Sequence, residues 1–163
     1  MGMLVALGLS IAVLIAVWTY LSLAVLALPV WVGIIAWAAF FAAGGKTDGL
    51  LRTLASTLSG VFWAFVALTL YAQAGGNNVA VLSLLVGLIA FAMVLQSKVS
   101  FLAFIPGSFL GAAATVSVVV GANGTYGKTI VALVAGAVFG FLSEQLAGAL
   151  SGSTRKAPAA RAA

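Results

Sequence analysis

Acid–base chemistry has almost nothing to work with in this chain. It has two carboxylates, Asp48 and Glu144, no His and no Cys. That removes thiol chemistry, most zinc sites and the usual near-neutral proton carrier. One pair of carboxylates far apart in sequence does not make a hard-metal cage or a glycosidase-type dyad. No Walker motif or dinucleotide loop is present; GGKTDG (44–49) lacks the GxxxxGK[ST] spacing and a preceding strand. The expectation is a protein that is not an enzyme and that uses no cofactor and no metal. The basic excess of +5 is read as membrane topology rather than nucleic-acid binding.

Glu144 is the one acidic residue inside a long apolar run. It is either an interior functional group, able to couple transport to protons, or an interfacial carboxylate. In the second case it reaches headgroups or pairs with Arg52 or Lys98. The other polar groups embedded in apolar sequence are neutral. Ser59, Ser108 and Thr115 are hydroxyls, and Trp37 and Trp63 carry indole N–H groups that need partners when buried. Ser59, Ser108 and Thr115 are the partners expected for those indoles. Hydroxyls and aromatic walls suit a small neutral or weakly polar solute; aromatic core packing is the alternative for each tryptophan.

The elements that must position these groups are membrane helices. Of 163 residues, 64% are hydrophobic and 6% charged, against about 25% charged in soluble domains. The fold class is therefore all-α integral membrane protein. A helix crosses the hydrocarbon in about 20 residues, which gives six transmembrane helices: 4–20, 23–43, 50–72, 79–95, 101–120 and 129–150. The first break is set at WTYLS (18–22), because Trp and Tyr favour the membrane interface. The N-terminus has no basic region and is read as the first span rather than a signal peptide. Residues 1–150 form the membrane domain, and 151–163 a basic, disordered cytoplasmic tail. Six spans place Lys46, Arg52, Lys98, Arg155, Lys156 and Arg161 on one side and only Lys128 on the other. The positive-inside rule then puts both termini in the cytoplasm.

The chain also reads as a repeat, with halves at about 4–72 and 79–150. Leu28-Pro29 aligns with Ile105-Pro106, and at the same offset Gly44 falls on Gly121. After a one-residue gap, SGVFWAF (59–65) lies over AGAVFGF (135–141). Three spans per half invert the second half, a 3+3 inverted repeat; chance similarity between apolar segments is the competing explanation. Pro29 and Pro106 are expected inside spans two and five, marking a midplane site. Small-residue faces run through Ser56, Gly60 and Ala64 in the third span, Gly107 and Gly111 in the fifth, and Gly136 and Gly140 in the sixth, either packing helices tightly or lining a passage.

LSGVFWAFV (58–66) and FIPGSFLGAAATV (104–116) resemble a family of small bacterial inner-membrane proteins typified by YcdZ. The similarity runs over residues 4–148. It implies a short multi-span protein of the bacterial inner membrane, a family without an assigned function, and brings no catalytic residue, substrate or cofactor.

The functional expectation is a membrane channel or facilitator, with partners limited to the lipid bilayer, a small solute and further copies in a homo-oligomer. Its substrate or pore-lining candidates are Pro29, Gly33, Trp37, Ser59, Gly60, Trp63, Pro106, Gly107, Ser108, Gly111, Thr115 and Glu144. The passage would run between the repeats or on an oligomer axis. The alternatives are a secondary transporter or exporter using Glu144 as proton-sensitive group, and a non-transport membrane subunit or scaffold.

Overall fold

Helix α1 (Met3–Tyr20) opens the chain and passes straight into a π-helical turn, Leu21–Leu26. A computed structural model describes residues 2–152; the expected tail lies, from 153 onward, outside the described residues. The break expected at WTYLS does not occur there. Trp18 is buried and donates its indole N–H to the Val30 carbonyl (2.9 Å), while Thr19 Oγ1 bonds back to Ile15 O (2.8 Å). These polar groups are satisfied inside the protein, so they need no interface. The chain turns later, at Ala27 (φ 48°), where the Leu28 N–H reaches back to Ser22 O (3.0 Å).

Helix α2 (Val30–Ala42) therefore starts at Pro29 rather than containing it. Proline suits this position because the first N–H groups of a helix are unpaired anyway. Two glycines with positive φ, Gly44 (102°) and Gly45 (66°), make the tight turn into α3 (Lys46–Gln73). Helix α4 (Val79–Leu95) is capped by Asn78, whose side chain accepts the Ala80 N–H (2.9 Å). It ends in an irregular connection with two short 3₁₀ turns, Gln96–Lys98 and Ser100–Leu102. Helix α5 (Ile105–Val116) begins only then, with Pro106 in its first turn, and ends in a π-helical turn, Ser117–Gly121. Helix α6 (Tyr126–Leu150) closes the bundle. Both prolines thus start helices; neither interrupts one.

Every regular element among the described residues is helical. Four helical segments are long and apolar enough to cross a membrane: Met3–Leu26, Lys46–Gln73, Val79–Lys98 and Tyr126–Leu150. The other two, Val30–Ala42 and Ile105–Gly121, are apolar but shorter than the spans expected at 23–43 and 101–120. The residues lost from each short helix are those taken by the preceding turn.

Helix α3 packs chiefly on α5, and α2 chiefly on α6, with α3 and α6 meeting between them. Helix α1 lies outside α6, and α4 outside α3. The outer helices bury little: 6% of the most apolar stretch of α4 lies inside the protein. Helix α4 presents Val86, Leu84, Leu88 and Phe91 outward, which suits lipid, where an apolar face needs no cover.

Candidate functional site

Two helix crossings built on glycine hold the interior together. At one, α3 meets α5: a Cβ on Gly60 would strike the Ser108 carbonyl, and one on Gly111 would strike the Thr57 carbonyl. At the other, α2 meets α6: a Cβ on Gly136 would strike the Gly33 carbonyl. Backbones touch at both places, which gives membrane helices dispersion contact where lipid supplies no hydrophobic drive. Gly107 adds to the first crossing, facing Ser56 Cβ and the Phe104 ring. Gly33, Gly60, Gly107 and Gly111 are accordingly packing positions in this conformation.

Beside the α3–α5 crossing lies a cluster of hydrogen-bonded side chains. Gln96, the first residue after α4, extends its carboxamide between α3 and α5. Its Nε2 donates to Ser108 Oγ (2.7 Å) and Ser59 Oγ (2.9 Å), and its Oε1 accepts from Trp63 Nε1 (2.8 Å). The two hydroxyls are 3.0 Å apart. Ser59 gives its own proton to Ser56 O (2.7 Å), so Ser108 is the donor between the hydroxyls. The orientation of the carboxamide follows from the indole, which can only donate and so requires oxygen opposite it. Ser59, Trp63 and Ser108 thus come together as sequence suggested, but through Gln96, which lies just past the span expected at 79–95.

The corresponding corner of α1, α2 and α6 is filled by rings. Trp18 packs across Gly33, and Phe139 lies 5.7 Å from Trp18 and 5.8 Å from Trp37. The Trp37 indole donates to Ser143 Oγ (3.1 Å), and Ser143 in turn donates to Gly140 O (2.6 Å). Ser10 Oγ bonds the Ser143 carbonyl (2.8 Å) and ties α1 to α6. The indole partners are therefore Gln96 and Ser143, with neither Thr115 nor a direct Ser59 or Ser108 bond involved. Thr115 is buried and bonds Gly111 O in its own helix (2.7 Å).

Three expected site residues lie at the ends of the bundle. Pro29 lines a pocket with Val118, Gly124 and Lys128, at the end opposite the α2–α3 turn. Pro106 stands just after the 96–104 connection, whose Ser100 and Phe101 lie beside Asp48 and Arg52. The prolines are at opposite ends, so a shared midplane site built from them does not form. Glu144, half-buried, accepts the backbone N–H of Lys46 (2.6 Å) and so caps the N-terminus of α3. A carboxylate is favourable there because the first N–H groups of a helix are unpaired and carry partial positive charge. Among the described residues, no three His, Cys, Asp or Glu side chains group to hold a metal ion.

Ser108 and Thr115 were singled out from sequence and are buried, but Thr53 and Ser22 were not, and Ser56 was read only as a small residue. Thr53 and Ser56 are fully buried on α3 and their Oγ atoms have no protein partner; Ser22 is the same in the turn after α1. The i, i+3, i+4 spacing of Thr53, Ser56 and Thr57 on one inward face was the available signal.

No solved structure matches the chain. Inner membrane protein YcdZ of Escherichia coli K12 is 32% identical over 143 residues, covering 86% of this chain and 83% of the relative. YcdZ of Salmonella typhimurium is 31% identical over 143 residues, with 86% and 85% covered. The uncharacterized protein YahC of Escherichia coli K12 is 33% identical over 165 residues, with 96% and 98% covered. The resemblance carried by 58–66 and 104–116 is thus borne out. Residues 8–148 match the pattern of the "Protein of unknown function (DUF1097)" family, and the chain belongs to that family.

Proposed function

We propose that this protein is a channel or facilitator, without catalytic activity, for a small neutral or weakly polar solute in the bacterial inner membrane. The conformation described above is its closed state. One observation carries the reading. Apart from the indoles of Trp18 and Trp37, every buried side chain with a polar group among the described residues is a hydroxyl: Ser10, Ser22, Thr53, Ser56, Thr57, Ser108, Thr115, Thr129 and Ser143. Hydroxyls both donate and accept, so they can replace the water around a neutral solute. They offer no countercharge to an ion.

The passage is proposed to lie between two inverted three-helix repeats, which together make six crossings. The packing supports this: α1 stands to α6 as α4 to α3, and α2 to α6 as α5 to α3. Pro29 and Pro106 start the equivalent short helices α2 and α5, and each short helix completes its crossing with the turn beside it. Lys46, Arg52 and Lys98 sit toward one end and Lys128 toward the other, which favours cytoplasmic termini. The outer faces of α1 and α4 are available to lipid or to further copies in a homo-oligomer, which native mass spectrometry would count. Glu144, engaged as a cap at the bundle end, favours a facilitator over an exporter that couples to protons.

Flux into proteoliposomes, followed by stopped-flow light scattering, tests the reading with formamide, acetamide, urea, glycerol and ethylene glycol. Saturable or protein-dependent entry of at least one solute is expected. Entry equal to that of protein-free liposomes for all of them overturns it.

A further inference from the structure

We infer that Ser59, Ser108 and Trp63 form a recognition site for a small primary amide, occupied in the closed state by the Gln96 side chain as an internal ligand. The inference rests on the facilitator reading above and names its substrate class. A primary amide carries two N–H donors and one carbonyl acceptor in a plane. The cluster answers each of them. Ser108 Oγ and Ser59 Oγ accept from the amide nitrogen at 2.7 and 2.9 Å, and Trp63 Nε1 donates to the amide oxygen at 2.8 Å. Proton bookkeeping leaves no other pairing. Ser59 spends its proton on Ser56 O and Ser108 spends its own on Ser59, so both hydroxyls face the amide as acceptors. A single hydroxyl offers one donor to two acceptors, and a polyol such as glycerol carries its further donors on separate tetrahedral carbons rather than on one planar nitrogen, a mismatch that hydrogen-bonding sites enforce more strongly than apolar ones.

Gln96 is placed to leave. It is the first residue of a 3₁₀ turn at the end of α4, followed by a second short turn at Ser100–Leu102, so its withdrawal unwinds no α-helix. One turn along α4, Met93 packs with Ala64 and Ala112, and Trp63 lies against that group. Met93 also lines a groove of about 440 Å³ between α4 and α5, together with Phe109 and Ala112. Three of the carboxamide's four hydrogen-bonding positions are met, both N–H donors and one lone pair of the oxygen.

Two measurements test this without relying on transport. Gln96→Ala empties the cluster. Acetamide, at concentrations that do not stabilise the wild type, should then raise the unfolding midpoint of the detergent-solubilised variant by about 2–4 °C, and glycerol should not. In the wild type, higher acetamide concentrations should displace Gln96, and the Trp63 indole N–H resonance, assigned by its loss in Trp63→Phe, should then shift saturably with acetamide but not with glycerol. If Gln96→Ala does not fold, the wild-type titration decides. Trp63→Phe, which keeps the ring but removes the donor, should weaken acetamide binding about tenfold. No restabilisation together with no resonance shift overturns the amide site, as does an equal response to glycerol. Amide binding without flux would retain the site and remove the facilitator reading. Flux without amide binding would do the reverse.

Discussion

The α3–α4–α5 corner and the α1–α2–α6 corner use the same framework and fill it differently. Each has a short helix crossing a long one backbone to backbone, Gly60 and Gly111 with α3 and α5, Gly33 and Gly136 with α2 and α6. Each has an outer helix laid against the long one. In the first corner the outer helix is tied by Gln96 to two hydroxyls and an indole. In the second, α1 is wedged in place by Trp18 against Gly33 and Phe139. Rings fill space and stay filled; a hydrogen-bonded carboxamide can be exchanged for another ligand. On the amide-site proposal, the difference leaves one half rigid and makes the chemistry of the other exchangeable.

The largest effects should come from what the corners share. Gly60→Leu and Gly136→Leu each drive a side chain into a facing carbonyl, and neither backbone can yield without separating its helices. Losses above about 4 kcal/mol are expected for both, seen as failure to survive detergent extraction. If either variant is as stable as the wild type, that crossing is not the contact described. The second test separates the corners. Trp18→Ala removes a buried ring (1% exposed) and should cost about 3–5 kcal/mol. Gln96→Ala removes hydrogen bonds that in membrane helices are worth roughly 1–2 kcal/mol in sum. Denaturation in mixed micelles should therefore rank Trp18→Ala well below Gln96→Ala. The reverse order would break the contrast between a wedged corner and a tied one.

Much of this framework is legible in the sequence. The apolar runs gave helices close to 50–72, 79–95 and 129–150, because uninterrupted apolar residues satisfy their backbone only as helix. Three glycines of the crossings, Gly60, Gly111 and Gly136, were visible on small-residue faces, whereas Gly33 stood out only as a lining candidate. Two features were hidden, both for the same reason. Trp18 and Gln96 look like interface residues at the end of a span, and whether such a residue faces headgroups or turns inward depends on what the neighbouring helix offers. Gly33 offers Trp18 a flat backbone to lie on, and Ser59, Ser108 and Trp63 offer Gln96 its partners. The short helices were missed because a proline after an apolar run was read as a kink, whereas each starts a helix. Nothing in local composition separates a proline at a helix start from one inside a span when both flanks are apolar.

The smallest effect expected lies where the two halves join. Glu144 on α6 accepts the Lys46 N–H at the start of α3, and a Cβ on Gly45 would come within 2.8 Å of its Oε1. Glu144→Ala leaves that amide without its cap and should cost about 1 kcal/mol. Glu144→Gln keeps an acceptor of nearly the same shape and should cost less, since only the attraction of a full charge to the helix terminus is lost. Solute flux should be unchanged in Glu144→Gln, because the side chain holds a helix end and lines no passage in the proposed mechanism. Flux abolished by Glu144→Gln, with folding intact, would move the working chemistry from the hydroxyl corner to this junction. The contrast between the two corners would then describe packing alone, and the proton-coupled exporter would become the better account.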